Sequence, residues 1–354
     1  MNQLKDQTNS SKEIYHSIIR KKFIWLLLTL VLLFLFFMLD VLIGPSWLSV
    51  NEVLNAIFSS SYQENTKNDI IVNVIRLPTA TMALVVGASL GTAGAQMQTV
   101  LSNPLASPYT LGVSAAASFG AAVAIVICND LLPIDEIIII PFCAFIASLI
   151  SSLALFLISK TKSVSIHMII LTGVALSFLF NSLLSLIQYF SKDNQFEAIV
   201  LWMFGSLQNA TWIKVIIVAV VLSICLPLFL ADAWKLMALQ MGDEKAKSMG
   251  IQTEKLRLQV IVTASILTAV SVCFVGAIGF VGLVAPHIAR TLVGEDQRFF
   301  LPSSALLGAL MLSFASIVSK TIVPGAIFPV GITTSLIGIP FLLSIILKKR
   351  KRLY

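Results

Sequence analysis

The sequence predicts an all-α integral membrane protein of ten transmembrane helices with both termini in the cytoplasm, and three observations carry that prediction. Hydrophobic residues make up 57% of the chain and charged residues 12%, with a mean hydropathy of +0.94, whereas a soluble domain carries roughly 25% charge. A bilayer core about 30 Å thick takes roughly 20 apolar residues per helix. Ten stretches near that length recur, at residues 23–43, 77–99, 110–128, 137–159, 166–190, 212–231, 258–276, 278–293, 302–322 and 331–347. Threaded from an inside start, they put nineteen of the 24 Lys and Arg residues on the cytoplasmic side and leave Lys67, Arg76, Lys192, Lys214 and Lys320 outside. That is the asymmetry of the positive-inside rule. Acidic residues split eight to eight, with Asp40 at the outer end of the first span, so the net charge of +7 reports orientation and implies no nucleic-acid partner. With no polar linker between spans, the chain reads as a short N-terminal tail (1–22), one membrane domain (23–347) and a basic C-terminal tail (348–354) that anchors to lipid headgroups.

Taken in order, Arg20, Lys21 and Lys22 open a first span too long for a signal peptide and without a small-residue cleavage site before Leu42-Ile-Gly-Pro45, which makes it a retained anchor. The stretch 44–75 is extracytoplasmic and polar, with Trp47 at the interface. In the second span Ala83, Gly87, Gly91 and Ala95 recur every four residues, and in the third Gly112, Ala116, Gly120 and Ala124 do the same. Such stripes let a neighbouring helix approach closely. Between them Gln96, Gln98, Ser102 and Asn103 precede Pro104 and Pro108, a polar, proline-broken elbow. Irregular backbone at membrane depth is tolerated where it lines a cavity or is buried in protein, so Gln96, Gln98, Asn103 and Pro104 are candidates for the solute path. The break at Gly276, Gly279 and Gly282 before Pro286 is a candidate on the same ground.

The fifth span carries Ser177, Asn181, Ser185 and Gln188 at intervals of four, four and three. A polar stripe on an apolar helix must meet partners or water, so it lines a path or hydrogen-bonds another helix. The cytoplasmic stretch 232–257 reads as amphipathic helix. Within it, Gly242, Asp243, Glu244, Lys245, Ala246, Lys247, Met249 and Gly250 place acids at a helix start, bases later and glycine at the stop. Exposing Met241, Ala246 and Met249, this segment suits a groove on a soluble partner; an ordinary surface loop is the other reading.

Several chemistries find no residues. No charge lies mid-span and His167 and His287 sit near span ends, which argues against an ion-coupled carrier. There is no G-x-x-x-x-G-K-[S/T] loop, no H-E-x-x-H and no G-x-S-x-G, so any ATP hydrolysis belongs to another chain. Cys128, Cys143, Cys225 and Cys273 lack metal-ligand spacing and read as small apolar residues. No catalytic or metal residue is expected.

Four segments carry a resemblance: Arg76–Gly112 with its Asn103-Pro-Leu-Ala-Ser-Pro108 elbow; Leu171-Thr-Gly-Val-Ala-Leu176; Met241-Gly-Asp-Glu-Lys-Ala-Lys-Ser-Met-Gly-Ile251; and Gly279-Phe-Val-Gly-Leu-Val-Ala-Pro-His-Ile-Ala-Arg290, continuing to Pro329-Val-Gly-Ile and Leu336-Ile-Gly-Ile-Pro340. In order and spacing the chain resembles the FecCD-type permeases of ABC importers for iron siderophores, haem and vitamin B12. The resemblance implies a second permease subunit, as homodimer or paired paralogue, around a central path. It also implies two ABC ATPase subunits carrying ATP and Mg below, and an extracytoplasmic solute-binding protein above, in a bacterial inner membrane. It makes Gly242–Gly250 the ATPase-coupling segment and the outer cations Arg76 and Lys320 the docking points for the binding protein. Import of an iron(III)-siderophore is the leading expectation, with haem or cobalamin as alternatives.

The chain departs from that family in places. Thr79 stands where an Arg is frequent, Ser316 and Lys320 replace an acid and an Arg four residues apart, and Ala326-Ile-Phe-Pro329 lacks a Glu before the turn. Fewer charge-assisted docking contacts follow, and Lys offers no bidentate fork.

Overall fold

The computed structural model describes residues 2–45, 48–58, 67–128, 135–159, 166–323 and 325–350. Trp47, Lys160, Lys162, Lys351 and Arg352, which enter the interface and charge readings above, lie outside the described residues. So do the side chains of Lys5, Lys12, Cys128, Lys348, Lys349 and Arg350.

Helix α1 (Asn2–Leu42) is continuous, since no Gly or Pro precedes Gly44. A short helix α2 (Val50–Phe58) follows, in a stretch that the sequence reading took only as polar. Its start is a reciprocal cap: Ser49 N–H donates to Glu52 Oε2 at 2.7 Å and Glu52 N–H to Ser49 Oγ at 3.3 Å. Helix α3 (Lys67–Val100) includes a π-helical stretch over Ile70–Arg76. Next come α4 (Val113–Val123), continued by a π-turn over Ala124–Cys128, then α5 (Glu136–Ser159) and α6 (Ile166–Phe190). After α7 (Asp193–Met203) and α8 (Trp212–Ala231) the chain forms the short helices α9 (Ala233–Gln240) and α10 (Asp243–Ser248). It closes with α11 (Thr253–Val275), α12 (Val281–Val293), α13 (Gln297–Thr321) and α14 (Val330–Arg350).

Among the described residues, seven helices are long and apolar enough to cross a membrane, and three shorter apolar ones span Val113–Ile127, Val281–Val293 and Val330–Ser344. Every predicted apolar stretch falls on one of these ten. No strand occurs among the described residues. The sequence reading missed α7, although Phe196, Ile199, Val200 and Met203 carry helical spacing. Ile199, 1% exposed, buries that helix against Ala122 and Ile125 of α4 and Leu184 of α6.

The small-residue stripes decide the packing. Gly87 of α3 faces the backbone of Gly308 on α13, and Gly91 faces Ser304 one turn along. Gly94, outside the predicted stripe, lies against Gly282 of α12. One face of α3 is therefore in backbone contact with both α12 and α13, where a side chain would hold them apart. On α4, Gly120 meets the Cys143 carbonyl region of α5, while Gly112 closes on α6 at Gly173–Ser177. At the break between α11 and α12, Ser206 N–H donates to Val275 O at 2.8 Å. Left-handed backbone at Gly276 (φ 77°) and Phe280 (φ 65°) makes that turn possible. Asp296 caps α13 by accepting from Arg298 N–H, and hydrogen bonds from Arg298 hold its carboxyl below the usual carboxylate range.

Candidate functional site

The segment expected to couple to an ATPase is a helix. Gly242 at φ 107° leads into α10, and Gly250 at φ 80° ends it, with Ile251 N–H closing back on Ala246 O at 3.1 Å. Met241 and Met249 are 58% and 55% exposed, and Glu244, Lys245 and Lys247 are exposed beside them. Ala246 is corrected: it is fully buried, in the cluster that holds Leu236, Leu239, Leu256 and Phe300. On a six-residue helix one face must anchor, and the alanine methyl is small enough for it. Asp243 is also engaged, pairing with Arg257 of α11 (Nη2 to Oδ1, 2.9 Å). Gly250→Val is expected to cost about 1–2 kcal/mol, because a β-branched residue there must adopt left-handed backbone, although nothing lies within 4 Å of the missing Cβ. Thermal unfolding against the wild type checks it; an identical melting curve would mean the turn carries no strain.

Above α10, the elbow connects α3 to α4 through tight turns. Asn103 N–H donates to Gln98 O at 3.2 Å, Leu105 N–H to Asn103 Oδ1 at 2.9 Å, and Thr110 N–H to Ser107 O at 3.1 Å. Ser102 takes φ 46°. Pro104, Leu105 and Tyr109 are exposed and Asn103 is half-buried, so this part of the elbow is open to the outside of the chain. Gln96 and Gln98 do not share it. They are 0% and 1% exposed; Gln96 Nε2 donates to Gln297 Oε1 (3.3 Å), Gln98 Nε2 to Leu283 O (3.2 Å), and Gln297 Nε2 to Thr99 Oγ1 (3.0 Å). Their path-lining role is corrected to cross-linking α3 with α12 and α13 through their Nε2 groups. Pro286 is likewise buried inside α12 and lines no open surface of the chain.

The polar stripe of α6 behaves differently. Asn181 and Ser185 are exposed, and Ser177 and Gln188 are half-buried. Ser177 Oγ donates to Gly173 O at 3.0 Å, and Gln188 Nε2 approaches Met203 Sδ at 3.6 Å. Around them Leu171, Phe178 and Leu186 are 67%, 70% and 54% exposed. This face is not packed within the chain, and lipid alone leaves an amide and a hydroxyl unsatisfied.

The docking cations are the largest correction. Arg76 is 4% exposed and its Nη1 donates to Val41 O (3.1 Å) and Leu42 O (2.7 Å). Lys320 Nζ lies 2.7 Å from both Asp40 O and Asp40 Oδ1, and Ser316 Oγ donates to the same carboxylate oxygen at 2.8 Å. Both cations are spent on the C-terminal end of α1, where carbonyls lack helical partners, and neither is offered to an outside protein. The acid missing at Ser316 is thereby explained: Asp40 supplies it from another helix. Sequence reading noted Asp40 only by its depth, because its partners lie 276 and 280 residues away.

Long apolar helices seamed at glycine make this an integral membrane protein. The chain belongs to the FecCD transport family, whose model matches residues 31–348. MJ0087 of Methanocaldococcus jannaschii, a protein named for the ABC transporter permeases, is 42% identical over 340 residues, covering 94% of this chain and 97% of its own. The hemin transport system permease protein HmuU of Yersinia pestis is 36% identical, covering 78% of this chain and 83% of its own. A solved structure described as an inward-facing metal-chelate type ABC transporter matches with a TM-score of 0.80 at 30% identity, covering 91% of this chain and 98% of that one.

Proposed function

We propose that the chain is the permease subunit of an ATP-driven importer whose solute is an iron(III)-siderophore delivered by an extracytoplasmic solute-binding protein. Two permease subunits, identical or paralogous, bring their α6 faces together around the path, with Asn181 and Ser185 at its wall, Ser177 and Gln188 beside them, and Asn103 and Pro104 at its inner end. ATPase subunits grip α10 through Met241, Glu244, Lys245, Lys247 and Met249, and ATP and Mg belong to them. All ten apolar helices cross a cytoplasmic membrane, with both termini inside. The outward-facing polar stripe of α6 carries this reading, because only a second protein surface or a wet corridor satisfies it in a bilayer. Closure of the ATPases displaces α10, and the path reopens on the other side by rigid shifts of packed helices.

Proteoliposomes holding this chain, its ATPase and its binding protein test the proposal. ATP-dependent accumulation of ferric siderophore probes is expected; haemin or cobalamin uptake without them reassigns the solute, and accumulation with no ATPase present overturns the importer reading. Asn181→Leu is expected to cut uptake at least about fivefold while the complex still assembles, as removing an interaction of about 1 kcal/mol or more in the path would. Unchanged uptake would place the stripe outside the path.

A further inference from the structure

We propose that Arg257 is a positioning residue that carries displacement of α10 into the elbow and on to the polar face of α6; the inference rests on the importer reading above. One guanidinium joins three elements. From the first turns of α11, where its side chain is 7% exposed, Arg257 sends Nε to Val100 O at 2.8 Å and Nη2 to Asp243 Oδ1 and Oδ2 at 2.9 and 3.3 Å.

Each end of that bridge matters mechanically. Asp243 is the first residue of α10, so the surface helix cannot tilt without pulling on the fork. Val100 is the last residue of α3. The next three N–H groups go to Met97, Thr99 and Gln98 carbonyls, which leaves the Val100 carbonyl to Arg257 as its cap. Directly after it begins the elbow, stiffened by its own turns. At the far end of the elbow Leu111 and Gly112 press on α6, where a Cβ on Gly112 would lie 3.1 Å from Ser177 N and 3.3 Å from Gly173 O. The chain of rigid contacts therefore runs from α10 through Arg257, Val100 and the elbow to the turn of α6 where the polar stripe starts. Helix α10 has another anchor, the buried Ala246 methyl, so the ion pair is free to act on orientation while that methyl holds attachment. A planar fork that fixes two directions at once suits this work, and a lysine does not replace it.

The test uses the complete importer in proteoliposomes and reads uptake per ATP hydrolysed with the ferric probe that the wild type accumulates. Arg257→Gln is expected to keep the ATPase in the purified complex and hydrolysing, while uptake per ATP falls about fivefold or more, the range of ordinary coupling energies. Arg257→Lys gives no rescue, and Arg257→Gln with Asp243→Asn is no worse than the worse single variant, as for two halves of one device. Wild-type uptake per ATP in Arg257→Gln overturns the proposal. So does loss of the ATPase from that complex, which would make Arg257 an anchor, and so do additive effects. If Arg257→Gln does not reach the membrane, Asp243→Asn on the half-exposed partner decides, and normal uptake per ATP there overturns it too. A wild type that accumulates no probe with ATP refutes the importer reading itself, which separates the two failures.

Discussion

Gly94→Val is expected to destabilise the transmembrane fold by about 3 kcal/mol or more, whereas Gly279→Ala leaves it unchanged. A Cβ on Gly94 would coincide with the Gly282 carbonyl and lie 2.8 Å from the Gly282 Cα. Overpacked side chains cost about 1–3 kcal/mol when neighbours can rotate away. Here the obstacle is the backbone of α12, and moving α3 away from it would also pull Gly87 and Gly91, on the same face, off the α13 backbone. A loss of about 3 kcal/mol or more would lower an apparent Tm by about 4 °C or more for a chain of this length, and further if the three-helix contact opens. At Gly279 the added methyl meets only Tyr109 ring atoms, at 3.7 and 3.8 Å, an ordinary distance. Fluorescence-detected size exclusion after a heating series checks both variants. A monodisperse Gly94→Val protein melting with the wild type would show that the α3–α12 approach is not required.

Asp40→Leu is expected to destabilise the protein by about 3–5 kcal/mol, the cost of stranding a buried partner charge. Lys320 has 6% of its side chain exposed and Asp40 none, so water cannot replace the lost carboxylate. Much of the loss returns in Asp40→Leu with Lys320→Met, because a buried ion pair exchanged for apolar groups is often neutral or better. Thermal unfolding of the four proteins forms the cycle. Additive single losses would show that the two groups do not depend on each other, and that Lys320 is held mainly by the α1 carbonyl.

Membrane residence and the ten apolar helices were legible because composition and run length are local properties. So were the faces of α3 and α4, since residues four apart share a side whatever lies opposite. The cap chemistry of α10 was also readable: acids, bases and glycine within nine positions report a helix and its ends. Ala246 was misread because a short amphipathic pattern does not say which of its faces is anchored. Gln96 and Gln98 were misread for a related reason. Polar residues beside a proline break look the same whether they meet water or a second amide, and Gln297, which decides the matter, sits 201 residues from Gln96.

Chain chemistry alone settled that this protein lives in lipid, where its long apolar helices run and which sides of α3 and α4 pack tightly. Tertiary structure decided who meets whom. It turned Arg76 and Lys320 from outward cations into caps on α1, put Asp40 where a neighbouring acid was missing, and set Arg257 between α10 and the end of α3. The physical reason is that helical periodicity is a property of consecutive residues, while a hydrogen bond or ion pair belongs to two positions that only packing brings within 3 Å.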